Sequence, residues 1–143
     1  MKAKGILIIA VACFVLVGLA VLKEGARSDE PQFPAPALYG VTYVEGVATN
    51  GVYVRFSIEH GGYDYCTSYN NQGDGNYLIG ESSDWGDWCV WATYTDSTGT
   101  YLACADGYRQ QGNSHADQVN VYLEYYSGPG TPSCGCWPQE GGD

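Results

Sequence analysis

Eight residues in the middle of the chain, Val52-Tyr53-Val54-Arg55-Phe56-Ser57-Ile58-Glu59, alternate without interruption. Val52, Val54, Phe56 and Ile58 fall on one side, while Tyr53, Arg55, Ser57 and Glu59 fall on the other. A period of two marks a strand with one face in a core and one in water, because successive Cβ atoms of extended backbone point to opposite faces. Related short runs occur at 39–44, 63–69, 77–79, 87–95, 100–105 and 118–126, separated by Gly, Asn, Asp and Ser. In the 87–95 run, Trp88, Val90, Ala92 and Tyr94 share a face. In the last run Val119, Val121 and Leu123 point inward. Residues 105–117 have no period and read as a loop. No helical period appears after Leu22. About seven short strands of this kind predict an all-β fold, an antiparallel sandwich with Val54, Phe56, Val90 and Val121 at its centre.

The N-terminus differs. Lys2 and Lys4 precede an uncharged apolar run from Gly5 to Leu22. This pattern of a basic region and an apolar stretch fits a signal peptide, a retained membrane anchor, or a pilin-like leader cut after Gly5 to leave residues 6–22 as an assembly stalk. Gly18-Leu19-Ala20 offers a cleavage site for the first. Ala10 stands where a bacterial pilin carries Glu. Cys13 follows Ala10-Val11-Ala12 in a lipobox-like way, but the apolar run continues past it. All three fates place the body outside the cytoplasm, secreted or tethered to the membrane by this segment. The expected organisation is 1–26 signal or anchor with a single hydrophobic helix, 27–37 Pro-rich linker, 38–126 β-domain, and 127–143 a tail rich in Gly, Pro and Cys.

Lys and Arg total 6 against 16 Asp and Glu. Beyond residue 37 the only basic residues besides histidine are Arg55 and Arg109. Nucleic acid is excluded as a partner on that basis, since phosphate binding needs clustered cations. Thirteen tyrosines and four tryptophans direct attention instead to a glycan or another surface protein.

Several segments resemble the transthyretin-like sandwich superfamily, which includes carboxypeptidase regulatory-like domains and collagen-adhesin B-type repeats. Residues 44–54 (VEGVATNGVYV) are similar to its opening strand, turn and second strand. Cys66-Thr67 through Asp74-Gly75-Asn76-Tyr77-Leu78-Ile79 resembles its Asp-Gly hairpin. Residues 85–92 (WGDWCVWA) and 119–123 (VNVYL) resemble its later strands. The resemblance spans roughly 39–124. It implies a seven-stranded Greek-key module acting as a spacer, stalk or binding unit in surface proteins. The internal Lys–Asn crosslink of many adhesin repeats cannot form here, because no lysine follows Lys23.

The stretch NNQGDGNYLIGE, residues 70–81, admits two readings. Asn70, Gln72, Asp74 and Glu81 occupy calcium-loop positions around Gly75. Asp-Gly between two alternating runs is also a hairpin turn. The flanking strands and the two amides in place of carboxylates favour the turn, so no cofactor is expected, with calcium as the weaker alternative. Glu81, Asp84 and Asp87 read as solvated loop charge. Five cysteines, Cys66, Cys89, Cys104, Cys134 and Cys136, read as disulfides in an exported domain. Counting outward from the 96–99 turn sets Cys104 opposite Trp91 and Cys89 on a diagonal. A small register shift would then join Cys89 to Cys104, leaving Cys66 for Cys134 or Cys136. A metal site built on Cys134-Gly135-Cys136 with a histidine is disfavoured by its spacing. His60 and His115 are the only candidate bases near neutral pH, and Ser114-His115-Ala116-Asp117 is local adjacency rather than triad geometry. No catalytic residues are assigned, and the chain is expected not to be an enzyme. Trp85, Trp91 and Tyr122 are the aromatics expected to be free for binding.

Overall fold

The computed structural model describes residues 35–138. The apolar N-terminal segment, Cys13, most of the linker and the last five residues lie outside that range. Nine strands and no helix occur within it: β1 (Leu38–Val44), β2 (Val47–Ala48), β3 (Tyr53–His60), β4 (Gly62–Thr67), β5 (Asn76–Ile79), β6 (Trp85–Thr95), β7 (Thr100–Arg109), β8 (Asp117–Gln118) and β9 (Val121–Tyr125). They form one curled, mixed sheet in the order β2-β1-β9-β7-β6-β3-β4, with β5 and β8 also paired to β1. The all-β expectation holds. The purely antiparallel one does not, because β1 runs parallel to both β8 and β9.

The parallel pairings arise because β1 changes partners midway. Its first half, Leu38 to Val41, pairs with β5, and Leu38 and Tyr39 also pair with β8. Its second half pairs with β2 and β9. At the break, the Val41 amide donates to Asn120 Oδ1 at 3.1 Å, replacing a ladder bond. Thr42, fully buried, shares its one hydroxyl proton between the carbonyls of Thr49 at 2.9 Å and Gly75 at 3.1 Å. A buried polar group needs such partners to avoid a desolvation cost of about 1–3 kcal/mol.

The alternation of β3 places Val54, Phe56 and Ile58 in the core, joined by Leu38, Val52, Tyr77, Ile79, Val90, Ala92, Val121 and Leu123. Trp88 is partly buried and packs against this cluster. The strongest ladder is β6 with β7, ten consecutive pairs from Gly86–Arg109 to Thr95–Thr100. Its turn is held by Asp96, whose carboxylate accepts hydrogen bonds from Thr98 and Gly99. Those bonds, first the Thr98 hydroxyl, hold its pKa below the usual carboxylate value.

Two expectations are corrected by the strand boundaries. Residues 105–109 belong to β7 rather than to a loop. Their inward positions are Ala105, which packs on the core, Gly107, which the Trp88 ring covers, and Arg109, which is buried, so no apolar alternation continues past Ala105. The last run divides into β8 and β9, for the reason given above, and the strand count rises from seven to nine. Ala37, assigned to the linker, is fully buried, and its amide donates to Ile79 O at 3.1 Å.

Arg109 unites these loops. Its guanidinium donates to the carbonyls of Ala37, Ser82, Asp84, Asn113 and His115, and to Asp117 Oδ2 at 2.9 Å. A planar fork with five N–H groups suits this radial set of acceptors better than any other side chain.

Candidate functional site

The outward side chains of β4, β3, β6 and β7 form the other face of the sheet. On it lie Tyr63 and Tyr65 of β4, Tyr53 and Arg55 of β3, Cys89 and Trp91 of β6, and Cys104 of β7. Cross-strand register sets Arg55 opposite Tyr65 and Trp91, and Trp91 opposite Cys104. That last pairing agrees with the count made from the turn.

The C-terminal tail crosses this face and is bonded to it twice. Cys89 pairs with Cys136, and Cys104 with Cys134. The expected Cys89–Cys104 staple is therefore corrected. The β6–β7 ladder has no bulge to shift its register, and diagonal neighbours sit about 7–8 Å apart at Cα, beyond disulfide reach. Cys66 is corrected too. It is the one free cysteine among the described residues. It lies opposite Val54, on the core side of β4, whereas the tail lies on the outer side. Burial, reinforced by the Asp64 charge and opposed by a backbone hydrogen bond from Leu78, pushes its thiol up to about 12. The neighbouring Tyr77 phenol is raised as well, mainly by burial and then by Cys66.

The tail brings Trp137 onto the sheet. Its ring meets Trp91 edge-on at 5.8 Å and Tyr63 at 5.8 Å. Arg55 lies over Trp91 at 4.3 Å and over Tyr53 at 5.2 Å, and Tyr53 stacks on Tyr65. A continuous aromatic row thus runs Tyr65, Tyr53, Arg55, Trp91, Trp137, Tyr63. Tyr63 and Tyr65 are more than half exposed. The Arg55 Nε and Trp91 Nε1 donors have no protein partner. Beside the row, under Cys136 and Pro138, opens a groove of about 870 Å³ whose walls include Glu59, Asp87, Asp106 and Tyr108. Aromatic faces flanked by carboxylates can stack on a flat, C–H-rich surface and accept hydrogen bonds at its rim.

Of the three aromatics expected for binding, the structure puts only Trp91 in this row. Trp85 stacks on His60, with ring centroids 3.5 Å apart. Tyr122 stacks on Tyr43 at 4.9 Å, on the part of the sheet formed by β1 and β9. No local motif in the sequence singles out Tyr53, Tyr63, Tyr65 or Trp137 from the thirteen tyrosines and four tryptophans. Trp137 directly follows Cys136, so any bond from that cysteine to the sheet carries the ring with it; this was the available signal.

The other candidates do not converge. Residues 70–75 close a turn between reciprocal Tyr69–Asn76 backbone bonds of 2.9 and 3.0 Å. Asp74 accepts from the Asn50 side chain at 2.9 Å, and all of β5 separates it from Glu81. The Ser114 hydroxyl lies 3.4 Å from His115 Nδ1. Asp117, however, is engaged by Arg109 and Asn113 rather than by His115. The three do not form a relay. Comparison with protein-family models, curated proteins and solved structures found no match.

Proposed function

We propose that the chain is a non-catalytic module of cell-surface structure or adhesion, exported or tethered by its N-terminal segment, which presents the outer face of its sheet to a partner. The observation that carries this reading is the doubly bonded tail. Two disulfides hold Trp137 against Trp91 and Tyr63, an arrangement compatible with an oxidising exterior. On this reading the curled sheet is a two-layered sandwich related to transthyretin-like modules, supported by the single core between its arms. The test is accessibility in intact cells expressing the full chain. A membrane-impermeant protease is expected to remove the body, and a body protected until the cells are lysed refutes the assignment.

The aromatic row favours a second reading, a carbohydrate-binding module. Rings on a rigid strand cost little side-chain entropy when they stack on a sugar. Binding on an oligosaccharide array, lost in Trp91→Ala and Trp137→Ala but retained in Tyr122→Ala, is the expected pattern. Equal loss in all three variants, or no binding by the intact chain, removes it.

A further inference from the structure

Where the tail crosses the sheet, four sulfurs meet. Cys89 and Cys104 come from neighbouring strands, and Cys134 and Cys136 from the tail. Besides its bond to Cys104, Cys134 Sγ lies 3.8 Å from Cys89 Sγ and 3.3 Å from Cys136 Sγ. The Sγ atoms of Cys89, Cys134 and Cys136 all fall within 4.8 Å of one another. Disulfides that only pin a tail have no need to touch. Four thiolates around zinc, with Zn–S bonds of about 2.3 Å, stand about 3.8 Å from each other. The two non-bonded separations of Cys134 are already near that spacing, and Cys104 Sγ, bonded to Cys134, completes the set from the outer side of the other three. Opening the two bonded pairs to match it requires side-chain movements of about 2 Å. The Cα pairs, 5.7 and 5.8 Å apart, can stay in place. Cys89 and Cys134 are 3% and 1% exposed, while Cys104 and Cys136 are open to solvent, so the centre would be buried on one side and reachable by reductant and metal on the other.

We propose that this cluster has two states: a pair of disulfides under oxidising conditions, and a tetrathiolate site for Zn²⁺ once a dithiol reductant has opened them. Each disulfide takes up two electrons and two protons from one dithiol, which leaves as its own disulfide. Zinc then displaces one proton from each of the four thiols to solvent. The metal replaces both covalent ties and keeps Trp137 on Trp91. The site is sulfur alone. His60 is occupied by its stack on Trp85, and His115 lies beside the Arg109 hub.

The test uses the full chain in mild detergent, carrying Cys13→Ser and Cys66→Ser so that only these four cysteines remain. After reduction with a phosphine and removal of excess metal, about one Zn²⁺ per chain is expected to remain bound, against less than about 0.1 for the oxidised chain. Co²⁺ in its place should give intense thiolate-to-metal bands. Adding Cys134→Ser with Cys136→Ser should abolish both signals. Because reduction alone loosens the tail, melting of the reduced chain is followed in parallel. Zinc should raise it, and calcium should not. The proposal is overturned if the reduced chain retains no zinc, if retained zinc survives the double substitution, or if Co²⁺ binds without thiolate bands.

Discussion

Arg109 offers the sharpest test of how the fold is held. Its side chain is fully buried, and its five N–H groups reach six acceptors, five of them backbone carbonyls in three separate segments. Replacement by Met retains much of the volume and removes every donor. A bond from a charged donor contributes about 1.5–3 kcal/mol, but six such terms cannot simply be added, because several acceptors would regain water. Asp117 is 40% exposed, so it can turn outward and does not remain as a buried unpaired charge. The net cost of Arg109→Met is then about 3–5 kcal/mol, the range for breaking a buried charged network. For a domain of this size that lowers the melting temperature by roughly 15–30 °C. Arg109→Lys keeps the charge but supplies three donors from one point, and should recover only part of the loss. Asp117→Asn should cost about 1 kcal/mol. Urea denaturation of the four proteins provides the measurement. If Arg109→Met lies within about 1 kcal/mol of the parent, or if Lys restores full stability, the carbonyl hub is not what anchors these segments.

Further outcomes follow from the cysteines and from one turn. Near pH 8 the Cys66 thiol, pushed up to about 12 from 9.0, should react with alkylating reagents about a thousandfold more slowly than an exposed thiol; reaction at the exposed rate would contradict its placement against the core. The raised value means that the folded state prefers the neutral thiol. Stability should therefore be level below pH 9, fall as pH rises from about 9 to 12, and fall less steeply in Cys66→Ala. Removing the Cys89–Cys136 or the Cys104–Cys134 bond while the other stays closed should cost about 3 kcal/mol by loop entropy in either case, because each then closes only a loop of about 17 residues, measured by denaturation of paired Ser variants. Peptide mapping under non-reducing conditions should recover those two pairs, and recovery of a Cys89–Cys104 linkage would refute the tail's position. Gly75 sits at φ 77°, and a Cβ there would come 2.6 Å from Thr42 O. Gly75→Ala should thus destabilise by about 1–3 kcal/mol, and a neutral result would mean that the 70–75 turn can relax away from β1.

What a single pass along the chain could supply was local. Alternation at 52–59 and 87–95 names the inward residues, because pleated backbone sends neighbours to opposite faces. Val54, Phe56, Val90 and Val121 are all buried as that parity requires. Parity also put Cys89, Trp91 and Cys104 on one shared face, and turn chemistry marked 70–75 and 96–99. Tertiary structure decided everything that depended on distant segments meeting. The halves of β1 take different partners, parallel as well as antiparallel, and no local period encodes which strands those are. Past Ala105, the inward places of β7 hold a glycine beneath a tryptophan and a buried arginine, so its apolar rhythm falls silent. The aromatic row exists because a tail without periodicity is laid across the sheet. Disulfide partners are chosen by proximity in the folded chain and not by spacing along it, and that is why Trp137 joins Trp91 while Cys66 stays alone.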